Sequence, residues 1–113
     1  MSPRSARLSG AKDAAPVFSA LGDATRLALV DRLCGGQPLS ISQLTAGTPV
    51  TRQAVTKHLH VLSGAGLVRD SRRGRERLWQ LEAPRLDEAR RYLETISKRW
   101  DDALDRLRKF VED

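Results

Sequence analysis

The stretch from residue 51 to residue 62 has two distinct faces when it is drawn as a helix. Val55, Leu59 and Leu62 fall on one side, at the spacing that a helix uses to pack on a core. The opposite side repeats the spacing i, i+3, i+4, i+7 with hydrogen-bonding side chains. We call these residues the polar stripe: Gln53, Thr56, Lys57 and His60. The pattern predicts a helix that buries one face and offers the other to a polar partner.

Local signals predict a shorter helix immediately before the polar stripe. Ser40 and Gln43 match a capping box, so a helix is expected to start in the segment 38–44. Gly47 and Pro49 then favour a tight turn. Thr51 is a plausible N-cap for the helix that follows. Two short helices joined by such a turn form a helix-turn-helix.

The N-terminal part of the chain predicts a basic arm and two helices. Residues 1–12 lack periodicity and are rich in Ser, Gly, Pro and Arg, so we expect a disordered arm. Pro16 fits the first turn of a short helix over residues 16–21. Asp23 is a good N-cap for the next helix, which the glycines at 35 and 36 end. The inward face of that helix is expected at Leu27, Val30 and Leu33.

Residues 67–82 predict a β-hairpin. Gly74 lies between polar residues in the middle of the segment, and apolar residues return at Leu78, Trp79 and Leu81. The tip reads Arg72-Arg73-Gly74-Arg75. A hairpin placed directly after a helix-turn-helix is a wing, so the fold class expected here is a mainly α, winged helix-turn-helix with a two-stranded wing.

The last segment, from Pro84 onward, predicts one long helix. Its apolar residues alternate spacings of three and four over four heptads: Leu86, Ala89, Leu93, Ile96, Trp100, Ala103, Leu107 and Phe110. The roughly 70 residues before it are too few to cover a helix of about 40 Å. We therefore expect the helix to pack on its own domain at one side and on a second copy at the other.

Length and charge add a partner class. A chain of 113 residues makes one domain, in which residues 13–82 form the winged helix-turn-helix and residues 83–113 the C-terminal helix. The net charge is +6, and residues 51–77 alone contain seven Lys or Arg against two acids. Residues 84–113 contain eight charges of each sign. Positive charge concentrated on the predicted helix-turn-helix and wing favours a polyanionic partner, either nucleic acid or an anionic membrane surface.

These residue types suit double-stranded DNA. In the major groove Gln pairs with adenine and Lys reaches guanine or phosphate, while Thr meets a thymine methyl or a phosphate. Groups at a helix start hold phosphate, and an Arg at a hairpin tip enters a narrow minor groove or rests on phosphate. His60 lies one turn further along and is expected to reach only the backbone, and Arg4 and Arg7 of the arm would add weak contacts. The residues predicted to contact DNA are Thr51, Arg52, Gln53, Thr56, Lys57, His60, Arg72, Arg73 and Arg75.

Structural explanations compete with these functional ones. A polar helix face is usually only solvated, and arginine-rich loops often serve solubility. His58 lies nearer the apolar side and is expected to be structural. Cys34 follows Leu33 at a helix end and is expected to be a buried, small apolar residue. As the single cysteine it excludes an intramolecular disulfide, which fits a reducing, cytoplasmic setting.

Other classes of function find less support. No nucleophile elbow, phosphate-binding glycine loop or metal-ligand spacing occurs, so no enzyme and no cofactor are expected. Aromatic residues make up 4% of the chain, which offers RNA few stacking platforms. The heptad helix could instead recruit a different protein, with the basic region serving only for solubility. The chain contains no run of 18 apolar residues, so no membrane span is expected, and its N-terminus does not read as a secretory leader. DNA is the partner that we predict, and no membrane partner.

Two segments, GDATRLALVDRL and VTKHLHVLSGAGLVRDSRRGRERLW, closely resemble the ArsR/SmtB family of bacterial winged-helix repressors. The resemblance covers roughly residues 14–82. It implies a homodimer that binds imperfect palindromes in promoters and represses transcription. It implies that the first and last helices make the dimer interface. It also implies a recognition helix that carries Thr51, Arg52, Gln53, Thr56 and Lys57 and a wing that carries Arg72, Arg73 and Arg75. The interface residues expected on this basis are Phe18, Leu86, Ala89, Leu93, Ile96, Trp100, Leu104 and Leu107.

The sequence departs from the family's sensor motifs. The segment SISQLTAG lacks the Cys-x-Cys of one metal-sensor type, and residues 84–113 lack the histidines of another. Cys34, His58 and His60 are the only soft ligands in each chain, so we predict no regulatory metal site. The effector, if the protein has one, stays unknown from sequence.

Overall fold

The computed structural model describes residues 7–112, which form five helices and three short strands. The elements are α1 (Ala11–Leu21), α2 (Ala24–Leu33), β1 (Leu39–Ser40), α3 (Ile41–Ala46), α4 (Arg52–Gly64), β2 (Val68–Arg73), β3 (Glu76–Leu81) and α5 (Ala83–Glu112).

The predicted starts of the helix-turn-helix are confirmed. Ser40 Oγ accepts from the backbone N–H of Gln43 at 3.2 Å, and the Gln43 side chain accepts from the backbone N–H of Ser40 at 2.9 Å. This is the reciprocal capping box. Thr51 Oγ1 accepts from the backbone N–H of Ala54 at 3.1 Å and caps α4. These bonds fix where α3 and α4 begin, and so fix the turn between them.

The apolar face of α4 forms the centre of the core, as its spacing predicts. Val55, Leu59 and Leu62 are all fully buried. Residues from the other four helices and from the sheet join them in one cluster, in which Leu44 represents α3 and Trp79 represents β3. Because this face is covered, the polar stripe is left on the outer side of α4.

The expectations for the N-terminal segment need two corrections. Helix α1 begins at Ala11 instead of Pro16, so the end of the predicted arm is helical. Gly10 is its extended N-cap, and Ala and Asp residues favour the added turn. Leu8 also packs against the core. Residues 1–6 of the predicted arm, with Arg4, lie outside the described residues.

Helix α2 is capped by Asp23 as predicted, but its inward face is turned from the expected one. Leu27 is 54% exposed, whereas Leu29 is buried together with Val30 and Leu33. The helix therefore packs on its neighbours through Leu29, Val30 and Leu33. The sequence offers two adjacent apolar stripes on this helix, and it does not show which of them is buried. Cys34 is exposed, which corrects the expectation of a buried thiol, because the chain has already left the core at the helix end.

The wing is confirmed, and a third strand joins it. Strands β2 and β3 pair antiparallel, with Arg73 opposite Glu76, so only two residues form the loop. Gly74 has φ +65° at the first of those positions, as a type II′ hairpin turn requires. The two-residue strand β1 adds to the other edge of β3 and gives the order β1-β3-β2. A strand this short carries no periodicity, so the sequence did not predict it.

Helix α5 is one continuous element of 30 residues, or about 45 Å. Its N-terminal part packs on its own chain, where the rings of Tyr92 and Phe18 lie 6.0 Å apart. Ala89 is buried in the core of its own chain, which corrects its assignment to an interface between copies, because almost none of its surface is free. Leu86 is partly buried against the same core. From residue 97 to residue 112, every residue except the half-buried Ala103 is exposed.

Candidate nucleic-acid interface

The structure brings the polar stripe together on one surface. Arg52 and the four residues of the polar stripe line a shallow depression along the outer side of α4. Thr51, the N-cap of the same helix, is exposed at its beginning. All six predicted helix residues therefore lie on or beside one open, polar helix face.

Some of these side chains form hydrogen bonds within the chain, and others have hydrogen-bonding groups free for a ligand. Thr56 donates its hydroxyl proton to the backbone carbonyl of Arg52 at 2.9 Å, which leaves its oxygen lone pairs and its methyl group for a ligand. Arg52 donates to Ser42 Oγ at 3.4 Å, across the turn of the helix-turn-helix. Within residues 7–112, Gln53 and Lys57 make no side-chain hydrogen bond or ion pair. Their donors and acceptors are thus free to bond an incoming surface.

The arginines of the wing divide into paired and unpaired ones. Arg69 Nε lies 2.8 Å from a carboxylate oxygen of Glu82, and Arg77 Nε lies 2.6 Å from one of Asp70. The tip residues Arg72, Arg73 and Arg75 are exposed and have no ion-pair partner among the residues that the structure describes. The tip therefore carries three arginines against the single acid Glu76, while the arginines at the base of the wing are paired with acids.

A cluster that the sequence did not predict joins α4 to the wing. The rings of His60 and Trp79 lie 6.1 Å apart, and the guanidinium of Arg77 lies 5.1 Å from the centroid of Trp79. The hydrogen bond from Arg77 lowers the pKa of Asp70, and the proximity of His60 adds to this effect. Asp70 lies opposite Trp79 in the hairpin. The sequence alone did not predict this pair, because a shift of one residue in the turn would change every pairing in the register.

His58 faces away from the polar stripe, which supports the structural interpretation. Its Nδ1 lies 3.2 Å from Nη1 of Arg26 and 3.8 Å from a carboxylate oxygen of Asp23. Because a guanidinium only donates, Nδ1 accepts this bond. Arg26 also donates to the backbone carbonyl of Ala20 at 2.6 Å. The imidazole thus connects the recognition-type helix α4 to α2 and to the end of α1.

Potential metal ligands are dispersed over the described part of the chain. Among residues 7–112, no three His, Cys, Asp or Glu side chains come close enough to hold a metal ion. The absence of a regulatory metal stays a prediction. None of the five described helices is both long and apolar enough to cross a membrane.

Comparisons with known proteins agree with this geometry. A family profile described as a helix-turn-helix domain matches residues 21–70. An HTH-type transcriptional regulator of Mycobacterium tuberculosis, Rv2034, is 46% identical over 65 residues, which are 58% of this chain and 60% of that protein. The chain thus spans less than two thirds of the length of that relative.

Two other matches cover most of the compared protein. The uncharacterized HTH-type transcriptional regulator YuzN of Bacillus subtilis is 42% identical over 77 residues, which are 63% of this chain and 82% of YuzN. The solved structure of an ArsR-like transcriptional regulator from Rhodococcus sp. RHA1 superposes with a TM-score of 0.72. Its sequence is 36% identical, and the match covers 88% of this chain and 92% of that one.

Proposed function

This chain belongs to the ArsR family of helix-turn-helix transcriptional regulators, and from that premise we propose that it acts as a homodimeric repressor at a palindromic operator in double-stranded DNA. The observation that carries the proposal is the pairing of two exposed features in one domain. The polar stripe on α4 has free hydrogen-bonding groups, and the wing tip after it has three unpaired arginines within the described residues. The first can read base edges, and the second can bind phosphates or a narrow minor groove.

The proposed roles of the helix residues follow from their positions. Thr51 and Arg52 lie at the start of α4, where free backbone N–H groups and a cation favour phosphate. Gln53 and Lys57 are the base-reading candidates, since neither is held within residues 7–112. Thr56 offers its methyl group to a thymine, because its proton is already donated to the helix. His60 lies further along α4 and is proposed to contact only the DNA backbone.

The wing residues Arg72, Arg73 and Arg75 are proposed to contact the flank of each half-site. Each is exposed and forms no ion pair in the described part of the chain, although Glu76 lies opposite Arg73 across the strands. They would add affinity for any duplex more than choice between duplexes, since phosphate contacts carry no sequence information.

The homodimer is proposed from the apolar surface of α5. Large apolar residues of this helix are exposed: Leu93, Trp100, Leu107 and Phe110 follow the heptad spacing, and Leu104 lies beside them. A second copy would cover this surface, together with the partly buried Phe18 and Ile96. The two α4 helices, related by a twofold axis, would then contact half-sites about one turn of DNA apart, or roughly 34–36 Å. Repression, and a cytoplasmic location with access to chromosomal DNA, complete the proposal on the basis of family membership.

The test is a selection of bound duplexes from a random library at about 150 mM salt, with the native mass determined on the same sample. A palindromic motif bound by two chains is the expected result. Binding at low salt without an enriched motif would contradict sequence-specific reading. If α5 then captured a different protein while the native mass was that of one chain, the function would be that of an interaction module.

A further inference from the structure

Four residues at the base of the wing form a unit that we call the wing brace: His60, Asp70, Arg77 and Trp79. Trp79 is 1% exposed and belongs to the core, so it fixes one point of β3 to the body of the domain. The ring of His60 lies beside it on α4, and the guanidinium of Arg77 stacks over it from the same strand. Asp70 on β2 then receives a hydrogen bond of 2.6 Å from Arg77. The brace thus links the recognition-type helix, the core and both strands of the wing.

The register shows why Arg77 needs a carboxylate. Arg72 is the residue directly opposite Arg77 across the hairpin, and like charges in that position repel each other. Asp70 lies opposite Trp79, two residues along β2 from Arg72, and its bond with Arg77 is a diagonal one. The carboxylate therefore neutralises Arg77 and holds it against Trp79. Without it, Arg77 and Arg72 would separate and tilt the strand that continues into the tip.

Global stability is not the main consequence of this ion pair. The side chains of Asp70 and Arg77 are 39% and 46% exposed, and exposed pairs contribute little to the free energy of unfolding. The main effect of the pair is on the orientation of Arg77, because a planar guanidinium that both stacks on a ring and donates a hydrogen bond has few orientations left. The pair is thus suited to setting the direction of the wing and not to keeping the domain folded.

We propose that Asp70 and Arg77 are positioning residues for DNA binding: they hold the wing at the angle that lets α4 and the tip arginines engage one duplex together. This role rests on the proposed DNA-binding function. From charge alone, the acidic Asp70 should weaken the binding of DNA, because both are negatively charged. The positioning role predicts the opposite, namely that Asp70 strengthens binding. Arg77 acts here through Trp79 and Asp70 and not as a phosphate contact.

The test measures the affinity of the full chain for its selected duplex across a range of salt concentrations. Asp70→Asn removes a negative charge, and we expect it to weaken binding about two- to fivefold, the size of one exposed pair. Arg77→Lys keeps the positive charge but loses the stacked, planar donor, and we expect a similar loss. The double variant should bind no more weakly than either single one, because both changes break the same unit.

Asp87→Asn is the matched control. The side chain of Asp87 is 39% exposed, like that of Asp70, and it is also held by arginine, at 2.8 Å from Arg90 and 3.0 Å from Arg91, but it lies on α5. Its replacement should leave the affinity unchanged or raise it slightly through the loss of a negative charge. Thermal unfolding of each variant, followed by circular dichroism, checks that the folded fraction is equal. If Asp70→Asn failed to fold, Arg77→Lys would decide the question by itself.

Three results would overturn the positioning role. Asp70→Asn could bind as tightly as the wild type or more tightly, which is the outcome expected from charge alone. Arg77→Lys could bind like the wild type, which would make the charge sufficient. Arg77→Gln could lower the log–log salt slope by about 0.9 per subunit more than Asp70→Asn does, which would make Arg77 a phosphate contact. A wild-type chain that selects no duplex would instead overturn the proposed function, and the positioning role with it.

Discussion

The carboxylate of Asp23 accepts a hydrogen bond of 3.0 Å from the backbone N–H of Arg26, and this bond ties the start of α2 to the contact between Arg26 and His58. Asp23 Oδ2 also lies 3.8 Å from Nδ1 of His58 on α4. One N-cap thus takes part in the junction of the two helices. The contact between α4 and α2 thus includes polar residues that lie away from the polar stripe.

This junction predicts a pH-dependent stability. The backbone hydrogen bond from Arg26 is the main cause that lowers the pKa of Asp23, and the proximity of Arg26 and His58 lowers it further. The ionised carboxylate therefore stabilises the fold above its ordinary pKa of 3.8, and this contribution is lost as the pH falls through the lower pKa of the folded state. The melting temperature of Asp23→Asn should lie below that of the wild type at neutral pH, and the gap should close in acid. Asp23→Ala, which also loses the cap, should stay less stable than Asp23→Asn at every pH.

Gln53 is expected to specify a base. Its side chain lies in the polar stripe and has no bond to give up within the described residues, so Gln53→Ala removes only contacts to DNA. We expect a loss of about 1–3 kcal/mol in binding and a relaxed preference at one base pair in each half-site. Repeating the duplex selection with the variant measures both. Gln37→Ala, an exposed glutamine outside α4, is the control, and an unchanged motif for Gln53→Ala would remove this residue from the reading set.

The wing arginines make a prediction about salt. If each subunit neutralises about four phosphates, the log–log slope of affinity against salt is about −7 for the dimer. Arg73→Ala should weaken binding to every duplex and flatten that slope by about 0.9 for each phosphate that is no longer neutralised. Arg69→Ala is the matched control, since Arg69 is already paired with Glu82 at 2.8 Å. Equal slopes for the two variants would show that position in the wing does not matter.

Helix α5 allows dimerisation to be separated from folding. Leu107 is 60% exposed in the single chain, whereas Ala89 is buried in its core. Leu107→Asp should therefore give a folded chain with the native mass of one copy, because a charge enters only the proposed interface. Ala89→Asp should instead unfold the domain. Native mass and circular dichroism distinguish the two results, and a fully dimeric Leu107→Asp would place the interface elsewhere.

The parts that sequence predicted are those decided by neighbouring residues. The capping box at Ser40, the N-caps at Asp23 and Thr51 and the buried face of α4 each depend on residues within one or two turns. The hairpin also follows from local chemistry, because Gly74 accepts the positive φ of its turn. These local signals are sufficient to place the polar stripe and the arginine tip, which are the main parts of the candidate site.

The parts that sequence missed are decided by distant contacts. Strand β1 forms because Leu39 pairs with Trp79 of β3, which is distant in sequence. A strand of two residues is too short to show a pattern of its own. Leu27 is exposed because α2 packs on its neighbouring edge, a choice that other helices make for it. The bond between Asp70 and Arg77 needs the hairpin register. The count of basic residues in 51–77 includes Arg77, although its positive charge is paired with Asp70.

The exposed second half of α5 also bears on how the protein would respond to its own abundance. Over residues 97–112 the helix has almost no support from its own chain, so its order would depend on the proposed second copy. At low abundance this segment would fray, and its amide protons would exchange rapidly with solvent. Occupancy of a two-half-site operator would then rise with the square of the monomer concentration. A modest change in synthesis would thus produce a steeper change in the expression of the controlled genes.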